Sequence, residues 1–170
     1  LFWILFVDND RKMNTTIIVI PTLNEYENVE ILLDEFVKLD VDVVFIDDSS
    51  IDGTDQTIEN NIYFDKKFYL IKRKSKLGYA SACIEGINFG INNNYETIVQ
   101  MDADLSHSIA DLKNLLNTSH KSDVTIGSRY VEGGNIVGWG PFRKYLSYIA
   151  NLTCRKLLRI EISDFTSGFR

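Results

Sequence analysis

A chain of 170 residues can bury a sizeable core as one domain, and 45% hydrophobic with 12% aromatic residues excludes a disordered chain. The net charge of -6 argues against a general nucleic-acid binder, which would be basic. Cys83 and Cys154 fall far apart within helical patterns, so they read as reduced, buried thiols of a cytosolic protein, not as a disulfide frame or a zinc site.

The chain opens on LFWILFV, far short of the roughly 20 apolar residues that a membrane span needs. This run has no basic flank and no small-residue cleavage site, which speaks against a signal peptide. Met13 reads as the natural start, with residues 1–12 a non-native or disordered extension and a single domain over 13–170. Strands are expected at Thr16–Ile20, Val43–Ile46, Phe68–Ile71, Thr97–Met101 and Val124–Ile126. These runs are almost continuously apolar, which suits strands covered on both faces of a parallel sheet. Helical patterns separate them. Asn24 followed by Glu27 resembles a capping box and opens a stripe of Val29, Leu32, Leu33, Phe36 and Val37. Further helices are expected from Thr54 to about Asn61, from Tyr79 to about Asn92, and from Ile109 to about Asn117 behind a second box of Ser108 and Asp111. The longest runs from Phe142 to about Leu158. The alternation of the two periods predicts a doubly wound α/β domain with helices on both faces of a mostly parallel central sheet.

In open α/β sheets, ligands bind beyond the carboxyl ends of the strands. Pro21–Glu25, Asp47–Thr54, Lys74–Gly78, Asp102–His107 and Gly127–Tyr130 all fall at that edge. The D-x-D pattern occurs at Asp8/Asp10, Asp40/Asp42 and Asp102/Asp104. The first lies outside the domain pattern and the second precedes its strand, so position selects Asp102 and Asp104. Two carboxylates without nearby cysteine suit a hard cation, Mg²⁺ or Mn²⁺, shared with substrate phosphates. The competing view is a capped turn of ordinary Asp and Ser chemistry. His107 can join the pair, although a lone loop histidine is more often incidental.

DDSSIDGT, Asp47–Thr54, can form a base and ribose pocket in which Asp48 accepts from a nucleobase edge, or a turn capped by Asp52 or Thr54. It echoes the D-x-D-G-T of aspartyl phosphohydrolases, but their nucleophilic aspartate is replaced by Ser50, which cannot form an acyl phosphate. KSKLGYASA, Lys74–Ala82, can cradle phosphate at a helix N-terminus. G-x-G-x-x-G is absent, which disfavours a nicotinamide enzyme. Pro141–Ile160 contains Arg143, Lys144, Arg155, Lys156 and Arg159 and no acid; this +5 within an overall -6 leaves -11 on the remaining residues. Phe142, Tyr145, Leu146, Ile149 and Leu152 repeat there at helical spacing. The segment is either an amphipathic helix on an anionic membrane surface or a core-packed helix with a solvated basic face.

With PTLNEYENV, DDSSIDGT, KLGYASA, MDADLSH, GSRYVEGG, VGW followed by Arg143 and Ser147, and DFTSGFR, the chain resembles the family 2 glycosyltransferases of the GT-A fold. Within them it is similar to the dolichol-phosphate (polyprenol-monophosphate) mannose synthases. The resemblance covers nearly everything from Thr16 to Arg170 and implies a GT-A catalytic domain. It implies metal-dependent transfer of mannose from GDP-mannose to a polyprenyl or dolichyl phosphate, with inversion, by a protein peripheral to the cytoplasmic face of a membrane. Pro21, Leu23, Glu25, Ile46 and Asp48 would line the nucleotide pocket. Asp102 and Asp104 would hold the metal and diphosphate, and the Ala103 backbone would touch the donor. Arg129 would contact donor or acceptor phosphate, and Arg143 the acceptor phosphate. Leu23 stands where an aromatic residue is common in the family. Family members continue past DFTSGFR, so the resemblance also implies a domain truncated at its C-terminus. Alternatives are UDP-glucose as donor, transfer to a glycan hydroxyl, or a truncated domain that binds nucleotide sugar without turnover.

Overall fold

A computed structural model describes residues 14–120, 122–131 and 140–170. The proposed start at Met13, the first D-x-D, Glu132–Gly134 and Val137–Trp139 lie outside the described residues. Four strands, β1 (Thr16–Thr22), β2 (Asp42–Asp47), β3 (Phe68–Lys72) and β4 (Thr97–Gln100), form a parallel sheet in the order β3-β2-β1-β4. Among the described residues five helices alternate with or follow them: α1 (Tyr26–Phe36), α2 (Thr54–Glu59), α3 (Tyr79–Asn92), α4 (Ile109–Ser119) and α5 (Pro141–Leu158).

Strand alternation sorts β1 onto two cores. Ile18 and Ile20 face α1, α2 and α4, packing with Leu32, Phe36, Ile58 and Leu112. Ile17 and Val19 face α3 with Val44, Ile46 and Ala82. Both faces are therefore covered, as the apolar strand runs predict. The approach of α3 to the sheet is close: a Cβ on Gly86 would lie 2.2 Å from Val19 Cγ1.

The sheet opens at the switch point between β1 and β4. Register with β2 continues to Thr22↔Asp47, but register with β4 ends at Val19↔Gln100. Pro21, which has no N–H to donate, falls beyond that last β4 partner. The carboxyl ends of β1 and β4 thus diverge around a crevice.

Three local expectations change. The Asn24–Glu27 box does not form: α1 starts after Glu25 without a side-chain cap. Asn24 adopts a positive φ of 57°, and its Oδ1 accepts from the Ile51 N–H at 2.9 Å. The orphan N–H groups of Glu25 and Tyr26 are met by Thr54 Oγ1 and Asp52 Oδ2, so the loop before α2 caps α1. By contrast, the Ser108–Asp111 capping box of α4 is present.

Val124–Ile126 does not join the sheet. Gln100 and Arg170 exchange both backbone hydrogen bonds, at 2.7 and 3.2 Å, the pattern of an antiparallel pair. Gly127 N–H then donates to the Phe169 carbonyl at 2.9 Å. The Phe169–Arg170 segment lies between the edge of β4 and the 124–127 run.

The third is α5, where the core-packed alternative fails. Its apolar stripe does not enter the core: Phe142, Tyr145, Leu146 and Ile149 are exposed, and Asn151 is the residue of this helix that is buried. Polar contacts dock the helix, with Asn151 Oδ1 accepting from Phe165 N–H and Tyr130 Oη donating to Ser147 Oγ. Cys83 is buried, Cys154 is partly buried, and both are free thiols.

Candidate functional site

A cavity of about 590 Å³ occupies the crevice beyond β1 and β4. Pro21, Leu23, Glu25, Asp48, Asp102, Ala103 and Asp104 line it. Lys76, Tyr79 and Ala82 from KSKLGYASA, Thr166, Gly168 and Arg170 from DFTSGFR, and Thr22 complete the wall. Both of those motifs stand out in the sequence; which of their side chains face the crevice depends on chain crossings that no local pattern encodes.

Asp102 follows the buried end of β4. Tyr79 Oη donates to its Oδ1 at 2.5 Å, and Gln100 Nε2 donates to Tyr79 Oη at 2.9 Å. His107 Nε2 lies 3.7 Å from Asp102 Oδ2, and the His107 ring stacks on Phe169 with centroids 4.6 Å apart. His107 therefore joins the D-x-D loop to the DFTSGFR segment. The neighbouring His107, opposed by burial and helped by the Tyr79 hydroxyl, holds the Asp102 carboxyl below its ordinary pKa. Asp104 Oδ1 accepts from Ser106 N–H at 3.0 Å, so the loop is a capped turn as well as a pair of carboxylates facing one cavity.

Among the described residues no cluster of three or more His, Cys, Asp or Glu forms a self-sufficient metal cage. The chemistry of the donor set still fits a hard divalent cation. Asp102 and Asp104 offer carboxylate oxygens in one cavity, and such ions keep water or phosphate oxygen in their other positions.

Asp48 lines the cavity and also latches the neighbouring loop. Its Oδ1 accepts from Leu77 N–H at 2.9 Å, its Oδ2 from Gly78 N–H at 2.8 Å, and Arg73 Nη1 lies 3.1 Å away. Burial would raise its pKa, but these two N–H groups and Arg73 hold it below the ordinary carboxylate value. Arg73 also reaches Gly78 O and Ser81 Oγ, so the Lys74–Gly78 loop is latched from both sides. Gly78, at φ 94°, turns the chain into α3.

Three expected residues lie elsewhere. Ile46 is wholly buried in the α3-facing core and does not line the cavity. Arg129 does not line the cavity. Its Nε and Nη2 bind the buried Asp164 at 2.7 and 2.9 Å, and Nη2 also donates to Thr166 Oγ1 at 2.6 Å. Arg129 thus holds Thr166, which does line it. Arg143 sits in the exposed first turn of α5, away from the cavity wall.

The glycosyl transferase family 2 model matches residues 17–170. The chain belongs to glycosyl transferase family 2. The match runs from β1 to the final residue, so the crevice, the D-x-D loop and the DFTSGFR segment all lie inside the family 2 domain. The chain is 35% identical over 154 residues to an undecaprenyl-phosphate mannosyltransferase of Micrococcus luteus, covering 89% of this chain and 63% of that protein. It is also 35% identical over 164 residues to a polyprenol monophosphomannose synthase of Mycolicibacterium smegmatis, covering 94% and 62%. The chain therefore spans less than two thirds of the length of either relative. The fold is similar to the mannosyltransferase PcManGT of Pyrobaculum calidifontis, solved in complex with GDP-Man and Mn²⁺. That likeness has a TM-score of 0.50 and 25% identity over 68% of this chain and 34% of the other. The parallel sheet and its helices are thus GT-A-like.

Proposed function

We propose that this family 2 chain forms the donor-binding part of a transferase that moves mannose from GDP-mannose to a polyprenyl phosphate, with inversion at the anomeric carbon. The observation that carries this reading is the gathering of Asp102, Asp104 and Lys76 around one cavity at the β1/β4 switch point, beside the start of α3. The names of the two polyprenyl-phosphate relatives and of the GDP-Man complex support the choice of sugar and acceptor.

The chemistry asks little of a catalytic base. A phosphate monoester, with a second pKa near 6, is already mostly dianionic at neutral pH. Its oxygen attacks the anomeric carbon as the bond to the GDP oxygen breaks, releasing GDP. The protein then has to position and neutralise charge. Asp102 and Asp104 would hold a Mg²⁺ or Mn²⁺, which supplies positive charge to the diphosphate leaving group. Lys76 and the N-terminus of α3 offer further positive potential to the same anion. Leu23 and Pro21 supply apolar wall for the nucleoside. Arg143, in the exposed basic helix, would meet the acceptor phosphate; Arg143→Ala should weaken acceptor use, and a pure loss of GDP affinity would reassign it.

The acceptor is a lipid, and α5 offers a surface for it. Its basic side chains accompany exposed Phe142, Tyr145 and Leu146, which suits peripheral contact with the anionic cytoplasmic face of a membrane. No helix among the described residues is long and apolar enough to cross a membrane.

Calorimetric titration of GDP and UDP, each with and without Mn²⁺, tests the donor reading. Metal-dependent GDP binding that Asp104→Asn abolishes, with the fold intact by circular dichroism, is the expected result. A UDP preference would move the reading to another sugar. Metal-independent binding, or none, would remove Asp102 and Asp104 from this role.

A further inference from the structure

We propose that Tyr79 is the positioning residue for Asp102, fixing the first carboxylate of the D-x-D loop for the cation; this rests on the donor reading above. Asp102 sits just past the end of β4, at the mouth of the crevice, and rotation about its side-chain bonds would otherwise swing its carboxylate. The phenol hydroxyl of Tyr79 donates to Asp102 Oδ1 at 2.5 Å.

The ionised Asp102 carboxylate can only accept, so the phenol donates to it, and a third residue keeps the phenol turned to do so. Gln100 Nε2 donates to Tyr79 Oη at 2.9 Å. A phenol has one proton and acceptor lone pairs, so the amide fills an acceptor position and the proton is left for Asp102. Gln100 is itself anchored: it ends β4, and its backbone exchanges both hydrogen bonds with Arg170. Strand β4, Gln100, Tyr79 and Asp102 thus form one chain of contacts. Tyr79 begins α3, so the same hydroxyl ties the D-x-D loop to the start of that helix.

Backbone at Gly168 flanks this hydrogen bond. A Cβ on Gly168 would lie 2.8 Å from Asp102 Oδ2 and 2.9 Å from Tyr79 Oη. The DFTSGFR turn thus packs against the Tyr79–Asp102 pair. A carboxylate has about four acceptor positions, and the phenol occupies one on Oδ1. His107 Nε2 stands 3.7 Å from Oδ2, and the positions that neither group fills are left for a cation, in an orientation that the protein has already fixed. Outer partners of metal-binding carboxylates act in this way, and their loss typically weakens metal affinity by about 10- to 100-fold.

Tyr79→Phe removes the hydroxyl and keeps the ring. Mn²⁺ affinity is read from the electron paramagnetic resonance signal of free Mn²⁺, with GDP present. GDP affinity is measured separately by calorimetry in the absence of metal. The expected result is an Mn²⁺ affinity weakened by about 10-fold or more, a loss larger than any change in metal-free GDP affinity. Gln100→Leu, which frees the phenol proton, should shift Mn²⁺ affinity in the same direction by less. An Mn²⁺ affinity in Tyr79→Phe equal to or tighter than wild type overturns the inference. So does an equal loss of GDP affinity with and without metal, which would make Tyr79 a nucleotide contact. Wild-type protein that binds GDP without any Mn²⁺ dependence would instead remove the donor reading, and this inference with it.

Discussion

Asp48→Asn separates a loop latch from a base reader. The substitution keeps the side chain's shape but replaces one carboxylate oxygen with an amide NH₂. Wild-type Asp48 accepts from two backbone donors, Leu77 N–H and Gly78 N–H, one on each oxygen. In the variant, one of those N–H groups faces another donor. Leaving a buried donor unsatisfied costs about 1–3 kcal/mol. Arg73, 4% exposed, also loses its nearest anion; Glu85, at 3.3 Å, is 44% exposed and compensates weakly. Removing one partner from a buried pair costs about 3–5 kcal/mol. The two losses overlap, so local destabilisation of about 3 kcal/mol is expected, or about a 100-fold rise in the open population of the Lys74–Gly78 loop. Trypsin reports that opening at Lys74 and Lys76, provided that the loop recloses faster than it is cut. Cleavage there should accelerate by about two orders of magnitude in Asp48→Asn, with GDP affinity falling as Lys76 leaves the cavity. Unchanged cleavage together with lost GDP affinity would refute the reasoning and return Asp48 to the nucleobase.

Burial would raise the pKa of Asp164, but the Arg129 side chain, the Arg129 backbone N–H and Thr166 lower it below the ordinary value. Its stabilising contribution is therefore present above the unfolded value of about 3.9 and lost as pH falls through the folded value. Urea midpoints measured downward from about pH 5 should fall more steeply for wild type than for Asp164→Asn; parallel curves would contradict the ion pair. Gly86→Ala sets about 1 kcal/mol of helix propensity against a Cβ 2.2 Å from the buried Val19 Cγ1. Overpacking, at about 1–3 kcal/mol or more, should win and lower the thermal midpoint; a higher midpoint would show that α3 can move away. Flotation with anionic and neutral liposomes checks α5. Anionic vesicles should retain the protein and Arg155→Glu/Lys156→Glu should release it, whereas equal flotation with both lipids would count against the membrane surface.

Much of this protein is legible in one dimension. The apolar runs fix where β1 to β4 lie because a strand covered on both faces has no polar position to offer, and the helices follow from their 3.6-residue stripes. The α4 cap is readable because Ser108 and Asp111 satisfy each other locally. The carboxyl-edge loops pointed to the crevice because strand direction alone places them there. Tertiary structure decided the rest. Asn24 turned away from α1 because a loop distant in sequence supplied Asp52 and Thr54 as caps. Val124–Ile126 has the composition of a strand, but Phe169–Arg170 lies between it and β4. Asp48 lines the cavity and Arg129 stands behind it through Thr166, because their partners Leu77, Gly78 and Asp164 are roughly thirty residues away or more along the chain. The hydroxyl of Tyr79 and the carboxylate of Asp102 met for the same reason. Sequence sets which groups exist and where each element starts; long-range packing alone determines which donor reaches which acceptor.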